Sequence, residues 1–218
     1  MVQQERAVRT RQALLRAAAE TFDQEGFTPS GLTGISDRAG VSKGALHFHF
    51  TNKAGLAKAV EKEAGTTLRA ITDQALTGAP PALQRLVDAT HALAALLRED
   101  VVVRAGFRLC CERIRPPAEG PYAQWERFVA RMLERADAEG ALTHAVSARE
   151  AGQAIVAATT GFELLGRYDR RWLSAPSLTA FWSLLLPRLT TEPVRDRPHS
   201  GEIAEPAQAA APAVAARS

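Results

Sequence analysis

Cysteine is nearly missing from this sequence of 218 residues, and its two copies, Cys110 and Cys111, are neighbours. Adjacent residues cannot brace a disulfide framework, and no second pair completes a zinc site, so both read as buried thiols of a reducing compartment. Long apolar runs are missing too. Ala151 to Leu165 is interrupted by Gln153, Thr159, Thr160 and Glu163, short of the roughly 20 unbroken apolar residues that cross a bilayer. The opening MVQQERAVRT is polar and lacks the apolar core of a secretory signal. No membrane partner and a cytoplasmic location are therefore expected. Net charge is small at +3, although the pI near 9.2 is basic; that balance permits nucleic acid as a partner without requiring it. Nucleophile–base spacings, phosphate loops and HExxH pairs are absent, so no enzyme activity, catalytic residue, metal or cofactor is expected.

What is present is helical periodicity. Leu14, Leu15, Ala18, Ala19 and Phe22 recur at helix spacing, and Gly26 supplies a stop, which predicts a first helix over residues 8–25. Thr33 is placed to cap a short second helix ending at Ala39, and Ser42 a third running to Phe50. Thr51-Asn52 breaks the pattern before a long helix over 53–76. Further helices are expected over 81–97, 101–111, 122–139, 148–167 and 178–189. From Thr190 the chain turns to Pro, Ala, Glu and Arg without periodicity and reads as a disordered tail. With no strand pattern or internal repeat, the fold class is all-α. A three-helix unit over 1–52 precedes a bundle of about six helices over 53–189 and a tail over 190–218, with the fourth helix docking the two parts.

The stretch TGISDRAGVSKGALHFHF, Thr33 to Phe50, has the grammar of a helix-turn-helix. Ile35 and Ala39 give the first helix a buried side, Gly40 lets the backbone turn, and Val41 plugs the crossing. Ser42 caps the second helix, whose small Gly44 and Ala45 leave a low front able to enter a groove. Leu46 and Phe50, four apart, face inward together. His47 and His49 lie about 200° apart on a helix and cannot share one metal ion. Arg6, Arg9 and Arg11 suit either a solvated basic arm or contacts to a nucleic-acid backbone or minor groove.

The run AGVSKGALHFHFTNKAGL, together with Arg11 to Phe22 and Gly26-Phe27, resembles the signature of tetracycline-repressor (TetR) family regulators. That resemblance implies an all-α homodimer whose N-terminal unit grips double-stranded DNA at a pseudo-palindromic operator. It assigns Ser42 and Lys43 to phosphate and base edges, and Gly44 and Ala45 to the major-groove floor. His47, His49 and Lys53 fall at phosphate positions, with Thr33 anchoring the backbone from the preceding helix. His47 stands where the family usually has tyrosine, and Gly55 where it has an acidic residue.

Further along, Val103 to Leu109, the Arg115-Pro116-Pro117 loop and Trp125 resemble γ-butyrolactone autoregulator receptors within that family. The resemblance implies a pocket for a small-molecule effector lined by Trp125, Phe107, Thr160 and Phe162, although Trp125 at helical spacing also suits plain core. Phe162 replaces a hydroxyl side chain, which leaves a butyrolactone, an antibiotic or a biosynthetic intermediate as the effector class. The implied function is a repressor of secondary-metabolite genes, released from DNA when the effector pushes the 53–76 helix. A ligand-independent regulator or an activator would share the same DNA-reading unit. The helices over 148–167 and 178–189, with Phe181 and Trp182, are the expected dimer contact.

Overall fold

The computed structural model describes residues 2–112, 119–190 and 194–195. Among them there is no strand, and the fold is built from α-helices with one 3-10 turn. The first helix, α1 (Val2–Glu25), starts at Val2 rather than Val8. Nothing in its polar opening breaks a helix, and Glu5 pairs with Arg9 one turn on at 3.6 Å. It ends where Gly26 adopts φ 86°, a conformation that a side chain would oppose.

Next, α2 (Leu32–Arg38) has Gly31 at its N-cap with no side-chain hydrogen bond, so Thr33 is not the expected cap. Thr33 already lies inside the helix, where its carbonyl accepts from the Ser36 hydroxyl at 2.8 Å. In α3 (Lys43–His49), by contrast, Ser42 caps as expected, its hydroxyl accepting from the Ala45 amide at 3.2 Å. Asn52 does more than break the chain. Its side chain caps α4 (Lys53–Thr77) through the Gly55 amide at 2.8 Å.

Two apolar clusters follow. The first joins Leu14, Phe22, Ile35, Leu46 and Phe50 of the N-terminal helices to Leu56 and Val60 of α4. It also takes Ala105 and Leu109 from α6 (Val101–Cys111). The second runs from Leu68 of α4 through α5 (Ala82–Glu99), α7 (Pro121–Ala138), α8 (Ala148–Gly166) and α9 (Ala175–Leu189). Each fully buried large apolar side chain contributes about 1.5–3 kcal/mol. Because α4 and α6 each feed both clusters, neither cluster can shift without them. The two helices cross without slack: a Cβ built on Gly106 would lie 2.3 Å from the Cβ of Ala64.

The far end of α4 is fixed by polar contacts. Arg85 donates to the carbonyls of Ala75 at 2.8 Å and Leu76 at 3.2 Å, and Arg135 adds a bond to Leu76 at 2.6 Å. Glu139 completes this corner, 3.6 Å from Arg85 and accepting the Ala82 amide at 2.8 Å. A 3-10 turn over Arg170–Leu173, unsignalled by periodicity, leads into α9, which begins at Ala175 rather than Leu178.

Of the segment expected as a tail, Thr190 is buried, Val194 packs on the second cluster, and the Arg195 amide donates to Gln84 at 3.0 Å. The rest of that segment, like Arg115-Pro116-Pro117, lies outside the described residues.

Candidate functional site

Helix α3 turns one face inward and leaves the other open. Leu46 and the following Phe50 are buried, whereas Ser42, Lys43, Gly44 and His47 are exposed. Residues four apart share a strip of a helix, so Lys43 with His47 and Gly44 with Phe48 form two neighbouring strips of one exposed surface. Ala45 and His49 sit half-buried at its edges. Gly44 keeps the surface low, since an added Cβ there would meet only the Ser42 hydroxyl, at 3.9 Å. Phe48 was not among the expected contacts, yet 82% of it is exposed, its ring edge-on to His49 at 5.2 Å. An apolar ring held in water costs free energy that a partner would recover. The spacing of Phe48 from Lys43 and Gly44 was the available signal.

Nearby groups divide into open and occupied. Thr33 is exposed on α2, and Arg6 and Arg9 are exposed along α1, while the Arg11 guanidinium lies 5.5 Å from the Phe50 ring. Lys53, expected at a phosphate, is engaged inside the chain. Its ammonium donates to the carbonyls of Phe27 at 2.7 Å, Thr28 at 3.1 Å and Ser30 at 2.9 Å, which uses its three donors. The same ammonium sits 4.5 Å from the Phe27 ring centre. Here Lys53 ties the loop after α1 to the start of α4.

The second candidate site lies between α7 and α8. Trp125 is 1% exposed, and its indole N–H donates to the Thr159 hydroxyl at 2.9 Å. One turn away, the Tyr122 hydroxyl donates to the Glu163 carboxylate at 2.6 Å. Glu163 is 4% exposed and 2.6 Å from the Arg167 guanidinium, so its buried charge is balanced. Burial, and then the negative charge of Glu163, push the Tyr122 phenol well above its usual range, so it stays protonated. Phe107 is buried with its ring edge-on to Tyr122 at 4.8 Å. The α7–α8 interface therefore holds two polar rungs in an apolar wall.

The other two expected pocket residues fall differently. Thr160 is half-buried beside Thr159. Phe162 belongs to a separate aromatic group, 5.6 Å from Phe181 and 6.3 Å from Trp172, and Phe181 continues to Trp182 at 5.3 Å. Tyr122 and Glu163 were missing from the expected pocket. The signal for Glu163 was an acid four residues before Arg167, the spacing of an ion pair one helical turn on. Trp182, expected at a dimer contact, is 0% exposed within its own chain and cannot be a surface anchor. The large exposed apolar residues of α8, the 3-10 turn and α9 are instead Leu164, Leu165, Trp172 and Leu184, with Tyr168 between.

Comparison with known proteins places this geometry. Residues 14–60 match the family described as bacterial regulatory proteins, tetR family, and residues 81–191 match the tetracyclin repressor-like C-terminal domain. The A-factor receptor protein of Streptomyces griseus is 34% identical over 194 residues, 87% of this chain and 67% of that one. A crystal structure of a γ-butyrolactone receptor (ArpA-like protein) superposes with a TM-score of 0.75 at 27% identity, covering 85% of this chain and 90% of that one. CprB from Streptomyces coelicolor, solved with its biological operator sequence, gives a TM-score of 0.73 at 28% identity, with coverage of 85% and 90%. No described helix is long and apolar enough to cross a membrane.

Proposed function

The chain belongs to the TetR family of bacterial regulatory proteins, and from that premise we propose that it is a repressor lifted from its operator by a small apolar effector. Residues 1–52 are the DNA-reading part and residues 53–189 the effector-binding and dimerising part. Ser42 and Lys43 meet phosphate and base edges, Gly44 and Ala45 the major-groove floor and His47 and His49 phosphates, with Thr33 on the backbone and Phe48 added against a base methyl or sugar. Lys53 acts from behind, holding the loop after α1 in place. A homodimer formed through the exposed apolar residues of α8 and α9 spaces the two recognition helices about one turn of DNA apart, roughly 34–36 Å.

The observation that carries the effector reading is the Trp125–Thr159 hydrogen bond. The indole N–H donates to the Thr159 hydroxyl, whose own proton goes to the Ile155 carbonyl at 2.9 Å, and both donors can turn to an incoming oxygen. Such a site suits an apolar molecule with a carbonyl or lactone oxygen. Relatives described as an A-factor receptor and a γ-butyrolactone receptor support that class, and the genes controlled are those of a secondary metabolite. An effector that prefers the released conformation by a few kcal/mol suffices to empty the operator. Its entry moves α7 against α8, and with them α4.

The test is selection of genomic fragments by the purified protein, repeated with an alkyl-substituted γ-butyrolactone and with host culture extract. Sequence-selective retention that either addition abolishes supports the reading. Retention unaffected by both, with the lactone nonetheless bound in a thermal-shift assay, would falsify release as the mechanism.

A further inference from the structure

Helix α6 holds two parts of the molecule with two adjoining faces. Residues four apart share a helix face, and residues one apart are turned by about 100°. One face carries Phe107 and Cys111: the phenyl ring meets Tyr122 edge-on at 4.8 Å, and the thiol lies 3.2 Å from the Tyr122 hydroxyl. The neighbouring face carries Arg104, Arg108 and Glu112. Arg104 pairs with Asp23 at 3.0 Å, Arg108 donates to the Asp23 carbonyl, and Glu112 accepts the Phe27 amide at 2.6 Å. Arg108 and Glu112 also bind each other at 2.9 Å. Their targets, Asp23 and Phe27, flank the turn at Gly26 that ends α1, and Lys53 holds that loop from α4.

We infer that Tyr122 is a positioning residue for the DNA-reading part: by tying the last turn of α6 to Glu163 on α8, it sets where Arg108 and Glu112 hold the end of α1. The inference rests on the reading of the Trp125–Thr159 rung as the effector site. Tyr122 lies three residues before Trp125 on α7, and Glu163 four residues after Thr159 on α8, so the two rungs are consecutive. Relative motion of α7 and α8 at one rung must shear the other. The second rung is bonded to α6, and α6 cannot yield toward α4 because Gly106 already abuts Ala64. What remains is motion of the last α6 turn, delivered to Asp23 and Phe27. Packed elements without slack shift as units rather than deforming smoothly.

Hydrogen exchange read by mass spectrometry on the full chain, without DNA or effector, tests this directly. Tyr122→Phe keeps the ring on Phe107 and removes the hydroxyl that joins α6 to α8. Exchange in peptides spanning residues 23–30 is expected to accelerate about tenfold, as a local opening made easier. Glu163→Gln, which keeps an acceptor but not the charge, should act in the same direction more weakly, and carries the test if Tyr122→Phe does not fold. Thr90→Val removes a comparable buried hydroxyl bond within α5 and should leave residues 23–30 unchanged. Acceleration confined to α7 and α8, or equal acceleration in Thr90→Val, overturns the inference. Since no effector enters the measurement, that failure would leave the effector reading standing, and a protein that ignores lactones could still show the coupling.

Discussion

The backbone amide of Phe27 donates to the Glu112 carboxylate at 2.6 Å across 85 residues of sequence. This bond joins the loop behind the recognition unit to the last turn before the α6–α7 connection. Glu112→Ala removes it together with the Arg108 pair. The groups are partly solvated, so the expected loss is about 1 kcal/mol, with the melting temperature falling by about 2–4 °C. Operator affinity should fall as well, whereas Glu112→Gln, which retains an acceptor, should recover part of both losses. Thermal melts and fluorescence anisotropy on one operator fragment check this.

Gly106→Ala should be costly despite the small change. The added methyl would lie 2.3 Å from the Ala64 Cβ, so α4 and α6 must part. Overpacking of this kind costs about 1–3 kcal/mol. Ala64→Gly in the same chain should restore most of the stability, and a double-mutant cycle in urea denaturation measures the rescue.

On the recognition helix, Lys43→Ala and Phe48→Ala should separate charge from apolar contact. Lys43→Ala is expected to weaken operator and random DNA alike and to lower the slope of log affinity against log salt by about 1. Phe48 is 82% exposed, so Phe48→Ala should leave stability within about 0.5 kcal/mol while lowering preference for operator over random DNA. Unchanged preference would remove Phe48 from the interface.

Leu184 on α9 is 80% exposed, and Leu165 on α8 is exposed as well. If these helices pair across a two-fold axis, Leu165→Glu with Leu184→Glu places like charges in a shared apolar contact. Light scattering should then show a monomer whose melting temperature depends less on concentration. A persistent dimer would move the interface elsewhere.

Alkaline stability should report Tyr122. Its phenol is pushed upward by burial first and by the Glu163 charge second, while a tyrosine in the unfolded chain ionises near pH 10. Below about pH 10 both states hold the proton and the contribution is complete. Above it the unfolded chain releases a proton that the native state keeps, and stability falls by up to about 1.4 kcal/mol per pH unit. Tyr122→Phe should flatten that decline in denaturation curves taken between about pH 9 and 11.

Legibility in the sequence followed the range of the forces involved. The third helix was readable because Ser42, Gly40 and the Leu46–Phe50 spacing act within one or two turns. The second was misplaced at its start because Thr33, a good capping residue, lies one step inside a helix that Gly31 opens without a side-chain cap. The turn at Arg170–Leu173 carried no periodic signal, being a single tight turn. Trp125 was flagged by family resemblance, but its partner Thr159 lies 34 residues on, and Tyr122 and Glu163 are 41 apart. Such pairs are set by how helices pack, and helical spacing gives only which side of each helix is buried. Lys53 shows the same limit: the family resemblance put it at a phosphate, while its carbonyl partners come from a loop more than twenty residues earlier.

The polar corner made by Arg85, Arg135 and Glu139 pins one tip of α4, and its other tip starts at Lys53 beside the recognition unit. At 1.5 Å per residue, some 23 residues separate these tips by about 34 Å. A tilt of about 5° around the pinned tip carries the free one through about 3 Å, close to the 3.4 Å step between bases on a strand. Slight rocking at the fulcrum is thus enough to put a recognition helix out of phase with its half-site, and no helix need melt.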